Sequence, residues 1–216
     1  MGILDIARQL AGGLITSAEI FFLTILFSLP LGLCISFGRM SKNILVSTIV
    51  KIYISIMRGT PLMLQLMVVF FGPYYLFGLQ LSDTYRFIAV ILGFSLNYAA
   101  YFAEIYRSGI ESMPVGQYEA SQMLGFSKGQ TFFKIILPQV FKRILPPVTN
   151  EVITLVKDTS LAFVIAVPEM FTQAKAIAAA QKGIVSFAVA AVFYYIFNLI
   201  VALIMERIEK KFNYYK

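Results

Sequence analysis

Residues 184–205 read IVSFAVAAVFYYIFNLIVALIM, 22 positions without a charge, and they run directly into Glu206-Arg207-Ile208-Glu209-Lys210-Lys211. A helix needs about 20 mostly apolar residues to cross a bilayer. An uncharged stretch of that length that stops at a charged run is the pattern of a transmembrane helix. Composition agrees with it. Of 216 residues, 59% are hydrophobic and 13% charged, whereas soluble domains lie near half apolar and about a quarter charged. A disordered chain and an ordinary soluble domain are both excluded.

Four further stretches share this character, at roughly 15–38, 47–71, 84–106 and 145–167. The first, Ile15 to Gly38, is longer than a signal-peptide core and lacks a small-residue cleavage site, so it is expected to be retained. The second contains Arg58-Gly59-Thr60-Pro61, the third Asn97 and Glu104, and the fourth Glu151, Lys157 and Asp158. The expected fold is therefore all-α and integral to the membrane: one transmembrane domain over residues 1–216 with five helices. Before the first span, Ile3, Ile6, Ala7 and Leu10 fall at i, i+3, i+4 and i+7, an amphipathic helical pattern. Gly12-Gly13 is expected to break it, which leaves a short helix lying flat on the membrane surface. Ser28 and Gly32 form a small-x3-small pair suited to a helix contact. Cys34 reads as packing, and the aromatic residues at the span ends as an interfacial belt.

Basic residues near span ends set orientation. Arg39, Lys42, Lys51, Arg107, Lys128, Lys134, Lys142, Arg143, Arg207, Lys210, Lys211 and Lys216 fall on one side, twelve in all. Arg8, Arg86, Lys175 and Lys182 make four on the other. This asymmetry places the 107–144 loop and the C-terminus in the cytoplasm and the N-terminus outside. The net charge of +7 is thus read as a topology signal rather than nucleic-acid binding. The chain has no His and one Cys, which excludes an internal disulfide, a His-containing zinc site and a Ser-His-Asp triad. It also lacks a G-x4-G-K-[ST] phosphate loop, so by that motif it is not an ATPase.

The 107–144 loop is far longer than the other connections, and loops of that length usually have a function. Pro114 can open a helix. Gln117 to Leu124 reads as that helix, with small residues at Ala120 and Ser121, and Gly125 can end it in a left-handed cap. A second helix is expected from Ser127 to the Leu137-Pro138 stop. The segment resembles the EAA loop of ATP-binding-cassette importer permeases. That pattern is Glu-Ala-Ala, three residues, Gly, nine residues, Ile-x-Leu-Pro. Here it stands as Glu119-Ala120-Ser121, Gly125 and Ile135-Ile136-Leu137-Pro138, departing only at Ser121. The resemblance implies a coupling helix at Glu119, Ala120, Ser121 and Gly125 that docks on an ATPase subunit.

Other segments resemble the polar amino-acid branch of that family. They are Arg58-Gly59-Thr60-Pro61-Leu62 with Gln65, Ala103-Glu104-Ile105-Tyr106-Arg107-Ser108-Gly109-Ile110, and Lys157-Asp158-Thr159-Ser160-Leu161. The resemblance implies a bacterial plasma-membrane uptake system of two permease subunits, identical or different, two ATPases and an external amino-acid-binding protein. ATP and magnesium would then sit on the ATPase, with no cofactor on this chain. Cystine, glutamine, histidine, arginine and glutamate all remain open as substrates.

A charge at a helix centre costs about 2.5–3.5 kcal/mol on insertion scales, so such residues normally face a cavity or a partner. Glu151, Thr154 and Asp158 share one helix face, and Lys157 points about 100° away from Asp158. Asn97, Tyr101 and Glu104 share another face at i, i+4 and i+7. These faces are expected to line a polar route. Glu151, Asp158 and the Asn97 oxygen would receive a substrate ammonium, and Thr159, Ser160 and the Asn97 amide its carboxylate. Ion pairing within the bundle is the competing explanation for the charges. Glu104, Arg107 and Glu111 are expected to brace the loop. Arg58, Gly59 and Pro61 read as a hinge or gate, or as a kink beside an arginine that reaches the interface. An ion-coupled carrier using Glu151 or Asp158 is the alternative function, though such a carrier has no need of the loop.

Overall fold

The longest element, α1 (Ile3–Arg39), is an uninterrupted helix of 37 residues in the computed structural model, which describes residues 2–212. The break expected at Gly12-Gly13 does not occur. A mid-helix glycine costs roughly 1 kcal/mol relative to alanine, and tertiary packing offsets it here. Ile6 and Leu10 are buried against Met170, Ala174, Ile177 and Ala190. At Gly13 the chain passes so close to Met170 that an added Cβ would lie 2.7 Å from its Cα. Of the face expected on the membrane surface, Ile6 and Leu10 are covered by protein instead, while Ile3 stays exposed.

The main partner of α1 is α4 (Asp83–Glu111), whose first turn is capped by Ser82 Oγ accepting from the Tyr85 N–H at 3.1 Å. The two helices meet where their side chains are small. Ser28 and Gly32 are buried, and a Cβ on Gly32 would stand 2.8 Å from Phe102 Cβ and 3.0 Å from the Ala99 carbonyl. The pair expected as a helix contact is one. Cys34, by contrast, is exposed on the opposite side rather than packed.

α2 (Ile44–Gly59) and α3 (Leu62–Phe77) occupy the second expected span, 47–71, but meet at 111°. A residue before proline is pushed into extended backbone. Thr60 accordingly has φ −122° and ψ 149°, and Pro61 serves as the cap residue of α3. What was expected as a kink at Pro61 is a full corner.

α5 (Val115–Met123) follows Pro114 and ends as expected. Gly125 has φ +80°, its N–H donates to the Gln122 carbonyl, and the Phe126 N–H donates to Ser121. This is a Schellman cap, which uses the freedom of glycine to satisfy the last carbonyls. The next helix does not stop at Leu137-Pro138. A capped turn, α6 (Lys128–Gln130), passes through a π-helical stretch (Thr131–Ile136) into α7 (Leu137–Asp158). A change from π to α pairing disturbs the backbone ladder locally. Pro138 has no N–H to leave unpaired there, and it sits within the first turn of α7, where proline is tolerated.

Beyond Asp158 the backbone tightens into a 3₁₀ segment (Thr159–Ile165) and turns at Ala166, with φ 57°. α8 (Met170–Gln181) and α9 (Val185–Phe212) complete the chain. The main core lies where α1, α3, α4, α7 and the 3₁₀ segment converge, around Phe21, Leu66, Phe94, Phe102, Leu155 and Ile165. Among the described residues three helices, α1, α4 and α9, are long and apolar enough to cross a membrane, and the bent α2–α3 pair makes a fourth. The fourth expected span, 145–167, is divided between charge-bearing α7 and the 3₁₀ segment. Along α9, Val192, Tyr195, Ile196, Leu199, Ile200 and Leu203 face outward, an apolar surface suited to lipid. Lys216 lies outside the described residues.

Candidate functional site

Glu151, Thr154 and Asp158 recur at three and four residues along α7, so one side of that helix carries them all. Opposite them α4 presents Asn97, Tyr98 and Tyr101, and the corner presents Thr60 and Pro61. Together they enclose a cavity of about 280 Å³. Its lining holds two carboxylates and no basic side chain. Asp158 Oδ2 accepts a hydrogen bond from Tyr98 Oη at 2.7 Å. An acidic, hydroxyl-bearing pocket of this kind suits a small cation or an ammonium group. Its volume is just below the range of about 300–1,000 Å³ usual for small-molecule sites.

Five residues expected on the route therefore meet in one cavity: Asn97, Tyr101, Glu151, Thr154 and Asp158. Thr159 and Ser160 do not join them. Thr159 is buried with its hydroxyl donating to the Val156 carbonyl at 2.8 Å. Ser160 donates to the Lys157 carbonyl at 2.8 Å and opens with Lys157 on a separate cleft beside Tyr194 and Phe187. Residues one and two positions after Asp158 point about 100° and 200° away from it on a helix, and both hydroxyls close on carbonyls three residues back.

Asn97 is committed elsewhere than expected. Its amide donates to the Met57 carbonyl at 3.0 Å and to Gln65 Oε1 at 2.9 Å. Gln65 in turn donates to the carbonyls of Met57 and Thr60 and to Thr60 Oγ1. Arg58 does not line the cavity but packs beside it. Its guanidinium stacks over the Tyr101 ring at 5.2 Å and lies 4.0 Å from Glu104. Gly59 is the last residue of α2, with open space where a Cβ would stand.

Glu104 gathers charge from three helices: Arg107 at 2.6 Å, Arg39 at 3.9 Å and Arg58 at 4.0 Å. Arg107 also pairs with Glu111. In the loop, Glu119, Ala120 and Gly125 are exposed together with Met123 and Leu124. Ser121 turns inward, buried, with its hydroxyl donating to the Gln117 carbonyl at 2.6 Å. Gln117 and Gln139 exchange reciprocal amide hydrogen bonds at 2.9 and 2.6 Å, which fasten α5 to α7.

Two residues escaped the sequence reading. Tyr98 is nearly buried and holds Asp158, and a tyrosine within a span needs a partner for its hydroxyl, which is the signal that marks it. Glu169 is fully buried at the start of α8. It accepts from the N–H groups of Phe171 and Thr172 at 2.6 Å each, from Thr172 Oγ1 at 2.8 Å and from Tyr194 Oη at 3.0 Å. Its position just ahead of a helical segment is the only trace of that role in the sequence.

The binding-protein-dependent transport system inner membrane component family matches residues 15–214. The L-cystine transport system permease protein TcyB of Bacillus subtilis (strain 168) is 36% identical over 208 residues, covering 95% of this chain and 87% of TcyB. The arginine transport system permease protein ArtQ of the same organism is 36% identical over 200 residues, covering 92% and 90%. The crystal structure of an amino acid ABC transporter with histidines superposes with a TM-score of 0.88 at 28% identity, covering 98% of this chain and 99% of that one. These likenesses favour a subunit of an ATP-driven importer over an ion-coupled carrier, with ATP hydrolysis on a separate subunit. The chain belongs to the binding-protein-dependent transport system inner membrane component family, as a multi-pass permease subunit.

Proposed function

We propose that this chain forms the translocation path for a polar L-amino acid imported by alternating access. The observation that carries the reading is the acidic cavity between the α2–α3 corner, α4 and α7, with Glu151 and Asp158 on one wall and the Tyr98 hydroxyl on Asp158. The carboxylates receive the substrate ammonium, and Tyr98 holds Asp158 in place for it. Relatives that carry cystine and arginine support an amino-acid substrate. Thr159 and Ser160 would contribute only after a rearrangement of the 3₁₀ segment that brings their hydroxyls round to the cavity.

In this reading residues 1–216 form one permease domain with five spans, the N-terminus outside, in the bacterial plasma membrane. The α2–α3 pair is the second span, and α7 with the 3₁₀ segment is the fourth, its charges sheltered by the cavity. The corner at Arg58, Gly59 and Pro61 is the hinge beside the path. The α5 helix and its glycine cap form the cytoplasmic coupling element, where exposed Glu119 and Ala120 meet the ATPase and Gly125 sets the turn. Ser121, buried on the inner side of α5, acts from within where that helix meets its own chain. A second permease chain completes the path, an external amino-acid-binding protein delivers the substrate, and ATP and magnesium stay on the ATPase.

Asp158→Asn tests the reading. Uptake of L-cystine, L-glutamine, L-histidine, L-arginine and L-glutamate is measured in proteoliposomes holding the full complex with its binding protein. Loss of uptake in an intact complex supports the cavity as the path. Wild-type uptake in the variant removes Asp158 from it.

A further inference from the structure

Two residues of this chain, 32 positions apart in sequence, direct their side-chain amide hydrogens to the α2–α3 corner. A helix that breaks by 111° leaves carbonyls at the end of its first half without helical partners. At this corner a side chain from each neighbouring helix meets those carbonyls. Gln65, one turn into α3, donates through Nε2 to Met57 O at 3.0 Å, Thr60 O at 3.1 Å and Thr60 Oγ1 at 2.8 Å. Asn97 of α4 donates to the same Met57 carbonyl and to Gln65 Oε1, at 3.0 and 2.9 Å. Asn97 is 4% exposed, so water cannot replace it readily. Tyr53 of α2 adds a hydrogen bond to the Leu96 carbonyl at 2.5 Å, next to Asn97.

The consequence bears on the cavity. Thr60 and Pro61 form one of its walls, and Asn97 lies where that wall meets α4. We infer that Gln65 and Asn97 are positioning residues for transport: they clamp the broken second span so that Thr60-Pro61 stands as the wall of the substrate path. The Asn97 amide then acts through the corner rather than on a substrate carboxylate, because both its hydrogens are already engaged. Gln65→Glu isolates the chemistry, since it keeps volume and the acceptor for Asn97 but removes the donor that three oxygens share. The inference rests on the cavity being the substrate path, and the two are separable by experiment.

The test uses the full complex in proteoliposomes, in a Cys34→Ser background, with spin labels at exposed Ile49 on α2 and Val68 on α3. Electron–electron distance measurement reads the corner, and uptake of whichever of the five amino acids above the wild type carries best reads transport. Gln65→Leu, Gln65→Glu and Asn97→Leu should each broaden the distance distribution and lower maximal uptake on the order of tenfold, as expected for loss of a hydrogen bond to buried groups. Half-saturation by the loaded binding protein should not move. The Gln65→Leu/Asn97→Leu double variant should be no worse than its poorer parent, because one clamp is lost only once. Unchanged distances in the Gln65 variants overturn the clamp, and additive losses in the double variant return Asn97 to direct substrate contact. Broadened distances with full uptake overturn the role in transport. Normal uptake in Asp158→Asn removes the cavity reading and leaves the distance arm as an independent measure of the corner.

Discussion

Glu169 provides a stringent test of how α1, α8 and α9 are held together. Its carboxylate is fully buried and faces only donors: two backbone N–H groups of the first turn of α8, the Thr172 hydroxyl and the Tyr194 hydroxyl, with Ser17 Oγ at 3.5 Å. Replacement by alanine strands the Phe171 and Thr172 N–H groups and cuts the tie to α9. A buried donor left unpaired costs about 1–3 kcal/mol. Two of them, partly offset by relief of burying a carboxylate, give a net loss of about 2–4 kcal/mol. At about 2–4 °C per kcal/mol for a chain of 150–250 residues, that is a drop of roughly 4–16 °C in apparent Tm. Glu169→Gln should lose nearly as much, because either oxygen replaced by an amide would set donor against a backbone N–H now at 2.6 Å. Tyr194→Phe removes one hydrogen bond and should cost only about 1 kcal/mol. The assay is thermal denaturation of the detergent-solubilised protein followed by fluorescence-detected size exclusion, at a fixed heating rate. A Glu169→Gln protein as stable as the wild type would refute the reasoning, since it would mean that an all-acceptor group is not required there.

Further expectations follow from backbone geometry. Gly13→Ala should destabilise by about 1–3 kcal/mol, as overpacking does, because its Cβ meets Met170 Cα, whereas Gly12→Ala, with nothing within 4 Å, should be neutral or slightly stabilising; the same thermal assay reads both. Gly125→Asp should block uptake by straining the +80° cap of α5, with reduced co-purification of the ATPase as the measured outcome. Retained association and uptake in that variant would count against a coupling role for the loop.

Much of the architecture was legible because it depends on local periodicity. The α9 span shows as an uncharged run, the close approach at Ser28 and Gly32 as two small residues four apart, and the common face of Glu151, Thr154 and Asp158 as helical spacing. The α5 cap shows as a glycine where the small-residue helix ends. The features that did not show depend on partners distant in sequence or on a change of helix type. Pro61 signals a bend, but its size is held by Asn97, which no local pattern links to it. Gly13 looked like a breaker because Met170, which it lets approach, lies more than 150 positions away. Thr159 and Ser160 follow Asp158 in sequence, but their hydroxyls close on the carbonyls three residues back, which adjacency to Asp158 does not reveal. Pro138 looked like a stop because its tolerance depends on the π stretch before it.

That π stretch makes the loop and the cavity wall a single mechanical member. From Thr131 to Glu151 the backbone stays helical, a lever arm of roughly 30 Å at 1.5 Å per residue. A tilt of about 5° applied at the loop end would carry Glu151 by roughly 3 Å over that arm, comparable to the length of a hydrogen bond. Pro138, Pro146 and Pro147 lie along it and set its compliance. A stiffer arm would deliver more of any displacement to the carboxylates, and a softer one would absorb it before it reached them.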